Sequence, residues 1–310
     1  MSLVQNLSVQ ESTDVSERFL SHLTSGFLPT LRPTFQNLCT SPPYFALHGL
    51  TSTPQGVQAT VPVDYARHPE LTPISAAEAG RHLAILGSCA VNQIQDTPIY
   101  CLAQRAILHL NPWHLSSAPP SSSPRFRAVA KATAVAPKIY HAQADLLDAS
   151  HTAIFSLDVH FMAIPKRVFE RLFAHRHILS IGSPIENPYR HPIWVEPRVM
   201  QADFFQGVLG PILPTQCWGH FHNFPALPVA ILMANLCHSA GLLLQHIVGE
   251  DCRYAVSLAQ VHAQNLAFAG DILDISVRYL GRDGNDFRFS CYATHAETTI
   301  GSLDLVLTCP

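Results

Sequence analysis

The sequence predicts an α+β protein made of two like halves, each an antiparallel sheet of its own wrapped around one long buried helix. Three observations predict it. The pattern T-x-I-x-S-L-D occurs at Thr152, Ile154, Ser156, Leu157 and Asp158, and again at Thr298, Ile300, Ser302, Leu303 and Asp304. The second copy follows a stretch whose residues alternate between apolar and polar, broken by Gly281-Arg282-Asp283-Gly284-Asn285, a hairpin signal. Each half also carries an apolar stretch that reads as a helix, "PISAAEAGRHLAILG" from Pro73 and "PVAILMANLCHSAG" from Pro228. An internal repeat makes each half a unit that completes its core against its twin.

In chain order, the first half reads as a strand, a helix over 74–92, and strands over 98–111, 125–136, 138–148 and 152–164. The second reads as a strand over 197–209, a helix over 228–248, and strands over 253–264, 270–282, 286–296 and 299–308. The helix and strand correspondences are spaced slightly differently in the two copies. The Pro/Ser-rich loop 115–124, "LSSAPPSSSP", supplies the extra chain in the first. Residues 1–43 lie outside the repeat, and Asp14-x-x-Glu17 there is suited to cap a short amphipathic helix. "KRVFERLFAHRH" (166–177) reads as another helix, and Gly182, Pro184, Pro188 and Pro192 mark 177–192 as the connector.

Composition excludes several classes. Lys+Arg 19 against Asp+Glu 22 leaves a net charge of −3 with no basic run to track a phosphate backbone, so nucleic acid is not the expected partner. The eight cysteines form no C-x-x-C pair and read as reduced, mostly buried thiols of a cytoplasmic protein. The N-terminus lacks the pattern of a secretory signal. Residues 226–248 approach the length of a membrane span, but Asn235, His238, Gln245 and His246 interrupt them, so a buried helix is expected and no membrane span. The charged fraction of 13% is low enough to permit association of two chains into a homodimer.

"GHFHNFPALPVAILMANLCHSAG", beginning at Gly219, resembles the active-site segment of the beta-hydroxyacyl-ACP dehydratases of the hotdog superfamily. "FAGDILDISVRYLGRDG", from Phe268, resembles the strand that follows in that family. The resemblance implies a double hotdog in one chain: an N-terminal extension (1–43), a first hotdog (44–180) and a second (181–310). It implies a substrate carried as a thioester on acyl carrier protein or CoA, with no further cofactor. It maps the family's catalytic histidine, the base at C2 of the acyl chain, to His220. The backbone donor that holds the thioester carbonyl maps to the helix start near Val229, after Pro228.

The same resemblance leaves gaps. The family's acid, which protonates the departing hydroxyl, falls on Ala234, and the family glycine after the second proline is Val229. Glu78, on the first half's helix, is the candidate to replace that acid across the interface. Its plainer roles are to complement the helix dipole or to pair with Arg81 or His82 at helical spacing. His220 itself is either the base or a loop-fixing histidine. His222 lines the pocket rim or is structural, and Asn235 hydrogen-bonds a thioester, a water or a strand backbone. Cys217, His220 and His222 have ligand atoms, but no second pair stands at a zinc spacing, so no metal is expected. Asp158 and Asp304 recur by duplication and read as structural, and Ser88 and Cys89 as packing residues.

Three functions remain open from the sequence. The first is a 3-hydroxyacyl dehydratase, or a related hydratase or isomerase, in fatty-acid or polyketide-type biosynthesis, with His220 as base and Glu78 as acid. The second is a thioesterase of the same fold, which has no need of the acid missing at Ala234. The third is a noncatalytic acyl-binding or scaffold protein.

Overall fold

The computed structural model describes residues 38–65, 69–95, 97–115, 125–179, 184, 186–221 and 223–309. The capped helix expected near Asp14, most of the Pro/Ser-rich loop and His222 lie outside them.

Strand and helix boundaries follow the sequence signals closely. The first half contains β1 (His48–Thr53), β2 (Gly56–Val61), α1 (Ala76–Gln93), β3 (Ile99–Leu110), β4 (Phe126–Ala136), β5 (Ile139–Leu147) and β6 (Ala153–Pro165). After a short helix, α2 (Lys166–Leu172), the second half contains β7 (Val195–Met200), β8 (Phe204–Leu209), α3 (Val229–Val248), β9 (Ala255–Ala263), β10 (Leu273–Asp283), β11 (Asp286–His295) and β12 (Thr298–Thr308). The hairpin expected at 281–285 joins β10 to β11, with Asp283 opposite Asp286 and Gly284 at φ +58°.

All twelve strands form one sheet in the order β1-β2-β4-β5-β6-β3-β9-β12-β11-β10-β8-β7. Read inward from either end, the order is the same under the exchange of each first-half strand for its second-half counterpart. This palindrome is the duplication expressed as topology. It also corrects the expectation of two separate sheets: β3 pairs antiparallel with β9, Arg105 opposite His262 and His109 opposite Leu258, and the halves share a continuous ladder. An unpaired strand edge leaves a row of N–H and C=O groups without partners, and joining two such edges satisfies both.

Each helix lies on its own half of the sheet, α1 against β2 to β6 and α3 against β7, β8 and β10 to β12, and the two helices also touch each other. Alternation supplies the helix-facing side chains, Tyr140, Ala142, Ala144 and Leu146 on β5, and Phe287, Phe289, Cys291 and Ala293 on β11. By length and composition α3 is the one helix among the described residues apolar enough to cross a bilayer. Here Leu232, Leu236, Leu243 and Leu244 are buried in the core, each contributing roughly 2 kcal/mol. Gly241 is required because a Cβ there would collide with the Tyr254 hydroxyl.

Three further expectations are corrected. The strand expected over 197–209 is a hairpin, because the chain reverses at Gln201-Ala202-Asp203, where the Gln201 amide donates to Phe204 O at 2.8 Å. The helix expected over 166–177 ends at Leu172 and continues only as a 3-10 turn at Ala174–Arg176. Part of the supposed extension belongs to the core, since Leu38 bridges to Ile99 and is buried. The repeated aspartates are structural. Asp158 Oδ1 accepts from Gln143 and meets His141, both at 3.0 Å, and Asp304 accepts from Ser290 at 2.8 Å, each across neighbouring strands.

Candidate active site

The start of α3 is chemically open. Its N-cap is Pro228, which has no side-chain hydrogen bond to give, and its carbonyl accepts from Ile231 and Leu232, both at 3.0 Å. The first helical amides, of Val229 and Ala230, therefore have no acceptor among the described residues. The helix dipole adds partial positive charge at the same place. Both residues line a cavity of about 620 Å³ whose wall is mostly apolar, with Ala84, Ile85, Met233, Val261 and Leu303 among its members. Small residues of α1, including Ala76 and Gly80, leave room on the opposite side.

His220 lines this cavity and is buried, 8% exposed. The loop that carries it is fixed locally. Gly219 at φ +83° lies against the carbonyl of Ser41, too close for any Cβ, and its own carbonyl accepts from Ser41 N at 2.7 Å. This is why a glycine precedes the histidine. The imidazole stacks on Phe221 with ring centroids 3.7 Å apart and meets the Tyr44 ring edge-on at 4.8 Å. Phe221 is held in turn by an aromatic cluster with Tyr100, Phe169, Phe224 and Phe268.

The tautomer of His220 follows from its partner. Nδ1 lies 2.9 Å from the carbonyl oxygen of Ala226. A carbonyl only accepts, so Nδ1 carries the proton, and the neutral ring holds its lone pair at Nε2. Burial pushes the pKa down to about 4, while the bond to Ala226 acts in the opposite sense. At neutral pH the ring is an uncharged base.

Glu78 is elsewhere. Its carboxylate accepts from the amides of Asp64 and Tyr65, lies 3.9 Å from Arg81 Nη2 and 3.6 Å from His82 Nε2, and lines a separate cavity of about 50 Å³. It does not line the cavity that holds His220, so the cross-half pair expected from the sequence is not brought together. Glu78 instead belongs to a buried set that closes the start of α1. Ser75 Oγ accepts from Glu78 N at 3.3 Å, and Glu70 accepts from Ala76 N at 2.8 Å. Burial, opposed by the Ala76 amide and Thr72, pushes the Glu70 carboxyl up to about 7. Asp64, Glu78 and His82 have ligand atoms within 4.8 Å of one another. The Arg81 guanidinium already supplies the positive charge there, bonded to Asp64 and 3.1 Å from His82 Nε2.

Of the other expected residues, Val229 lines the large cavity, and Pro228 caps the helix without lining it. Asn235 also does not line it. Its Nδ2 donates to Ile231 O at 2.7 Å within the helix, and its buried Oδ1 has no partner among the described residues. Sequence reasoning missed Tyr44 and a charged group on the cavity wall. Asp271 accepts from Arg176 Nη1 at 2.9 Å and from Phe268 N at 2.8 Å, with His295 Nε2 at 3.9 Å. Asp271 stands in the "FAGD" stretch and was within reach of sequence reasoning. Arg176, 95 residues away, carried no signal.

No family model matches the sequence, and no curated protein does. Solved structures do match. A conserved protein of unknown function with hot dog fold from Alicyclobacillus acidocaldarius superposes with a TM-score of 0.55 at 10% identity, covering 87% of this chain and 98% of that one. The fold is a hotdog fold. A tesB protein of Mycobacterium avium subsp. paratuberculosis gives a TM-score of 0.55 at 8% identity, covering 84% and 96%. A 12:0-ACP thioesterase from Umbellularia californica gives 0.51 at 6%, covering 82% and 94%. Within this hotdog fold the two helix starts differ: both border the large cavity, but at α1 Glu70 and Ser75 accept from the Ala76 and Glu78 amides, leaving that of Ala77 without an acceptor among the described residues, whereas at α3 neither Val229 nor Ala230 has one, beside a neutral histidine.

Proposed function

We propose that the chain is a double-hotdog acyl-thioester hydrolase, with its units at 44–180 and 181–310 and its active site at the start of α3. The observation that carries this reading is the meeting, on one apolar cavity, of the His220 imidazole with the unpaired Val229 and Ala230 amides. The acyl chain fills the apolar cavity. His220 Nε2 takes a proton from water, and the water oxygen attacks the thioester carbon. The amides hold the oxygen as it becomes negative, acting most strongly where charge develops. Collapse of the tetrahedral adduct expels the thiol, which leaves with the proton held by His220, and a free acid remains.

Dehydration is less well supported. It needs a proton donor facing the base, and position 234 is alanine while Glu78 serves the sealed end of α1. Asp271 is on the cavity wall, but both its oxygens accept hydrogen bonds from Arg176 and Phe268. The thioesterase named among the solved neighbours points the same way. CoA or acyl carrier protein would present the thioester to a soluble, cytoplasmic enzyme that needs no other cofactor.

The test is intact-mass and free-thiol analysis of acyl-CoA and acyl-ACP, including 3-hydroxyacyl forms, incubated with the protein and with His220→Ala. Thiol release that depends on His220 supports hydrolysis. Loss of water with the thioester intact would restore the dehydratase. Binding without any product would leave an acyl-binding protein.

A further inference from the structure

At the other end of α3, two cysteines face each other. The Sγ atoms of Cys252 and Cys309 are 3.1 Å apart, although 57 residues separate them in the chain. A disulfide bond is about 2 Å long, so roughly 1 Å of approach would close one. The backbone already fixes both residues. Cys252 N donates to Gly249 O and Cys309 N to Asn285 O, each at 3.0 Å, and the adjoining Ala255 and Thr308 pair in the β9–β12 ladder. Both are free thiols and partly exposed, as is Cys101, whereas Cys39, Cys89, Cys217, Cys237 and Cys291 are buried.

We propose that Cys252 and Cys309 form an oxidisable dithiol that a small-molecule disulfide such as glutathione disulfide closes into an intramolecular staple. The Cys252 thiolate attacks one sulfur of the oxidant, forming a mixed disulfide and releasing one glutathione thiolate. The Cys309 sulfur, losing its proton, then attacks the Cys252 sulfur and expels the second glutathione. Two protein thiols are oxidised and one glutathione disulfide is reduced to two glutathiones. Burial and the contact with Cys252 push the Cys309 thiol up to about 12, so closure accelerates as pH rises.

The staple has a structural target. Next to Cys252, Arg253 Nη2 donates to Glu70 O at 3.4 Å, and Tyr254 O accepts from Leu71 N at 2.7 Å. These bonds tie the first-half segment that seals α1 to the second half. Fixing Cys252 to the end of β12 strengthens that join. It is distant from the proposed chemistry, because α3 has 20 residues and spans about 30 Å. Hydrolysis is therefore expected to be unchanged, and the outcome does not depend on the proposed function.

The experiment uses the full chain, reduced, freed of reductant and incubated with glutathione disulfide at pH 8. Remaining thiols are alkylated under denaturing conditions, followed by intact-mass analysis and peptide mapping. The expected product lacks two hydrogens, is alkylated on every cysteine except these two, and yields one cross-linked peptide pair containing Cys252 and Cys309. Its thermal midpoint rises by roughly 5 °C and returns on reduction. Cys252→Ser and Cys309→Ser each abolish the cross-link and the shift. A wild-type product alkylated on both residues, a stable glutathione adduct without a cross-link, or a bridge between other cysteines would overturn the proposal. The wild-type mass map decides this even if a variant fails to fold.

Discussion

The two long helices of this protein occupy equivalent places in a palindromic sheet, yet their N-termini are capped to different degrees. At α1, Ser75 caps the helix, Glu70 takes the first amide, and Glu78, Arg81 and Asp64 fill the surrounding space. At α3, a proline supplies no cap, the first amides stay unpaired, and a cavity of about 620 Å³ lies beyond them with His220 on its wall. A helix start carries the same partial positive charge in both cases. The difference is what meets it. The repeat gives two potential anion-stabilising ends: at α1 the Ala76 and Glu78 amides meet side-chain oxygens of Glu70 and Ser75, while at α3 those of Val229 and Ala230 meet no acceptor among the described residues.

The comparison can be broken most severely at His220. Replacing it with alanine is expected to lower kcat for thioester hydrolysis by about 10³-fold, and, because the buried ring stacks on Phe221 and bonds the Ala226 carbonyl, to cost about 2 kcal/mol of stability as well. A steady-state assay beside a melting curve would check this, and full retained activity would remove the α3 site from the mechanism. The wild-type rate should also hold down to about pH 5 and fall below it, because the buried imidazole protonates near 4.

A finer test removes one donor without touching the imidazole. Val229→Pro deletes the first helical N–H at a position where proline fits, since Pro228 already has the extended conformation a following proline requires. The expected result is a loss in kcat of about 10²-fold with the fold retained. An unchanged kcat would mean that the amide of Val229 does not hold the oxyanion.

The same operation at the sealed end should read out as stability rather than rate. Ser75→Ala removes the cap of α1 and is expected to cost about 1 kcal/mol in denaturant unfolding, with kcat unaffected. The smallest effect concerns Glu70. Burial holds its folded-state pKa at about 7, above the ordinary carboxylate value of 4.5, so the folded state binds the extra proton. That contribution is fully present below about pH 4.5 and is lost as pH rises through 7. Glu70→Gln should flatten the decline in thermal midpoint between about pH 5 and 7, and an unchanged slope would assign the decline to another group.

Much of this architecture was legible in the chain. The doubled T-x-I-x-S-L-D falls on β6 and β12, whose outward-facing aspartates bond across neighbouring strands as the repeat suggested. The helix expected over 228–248 is α3 at 229–248, because a mostly apolar run of that length is too long for a strand. His220 and Val229, which the sequence singles out in one short segment, line the same cavity. Glu78 takes one of the local roles that the sequence offered beside the catalytic one, next to Arg81 and His82 at helical spacing. Only the fold of the loop over Asp64 and Tyr65 turns its carboxylate away from the large cavity.

The sequence by itself determined the elements, the duplication and the residue types at the start of α3, since these depend on periodicity and on neighbours a few positions apart. Tertiary structure alone decided that β3 and β9 join the halves into one sheet and that Arg176 reaches Asp271. It also decided that side chains cap one helix start and leave its twin without a side-chain cap. Those outcomes depend on which distant groups satisfy a buried amide or charge, and no local pattern records that choice.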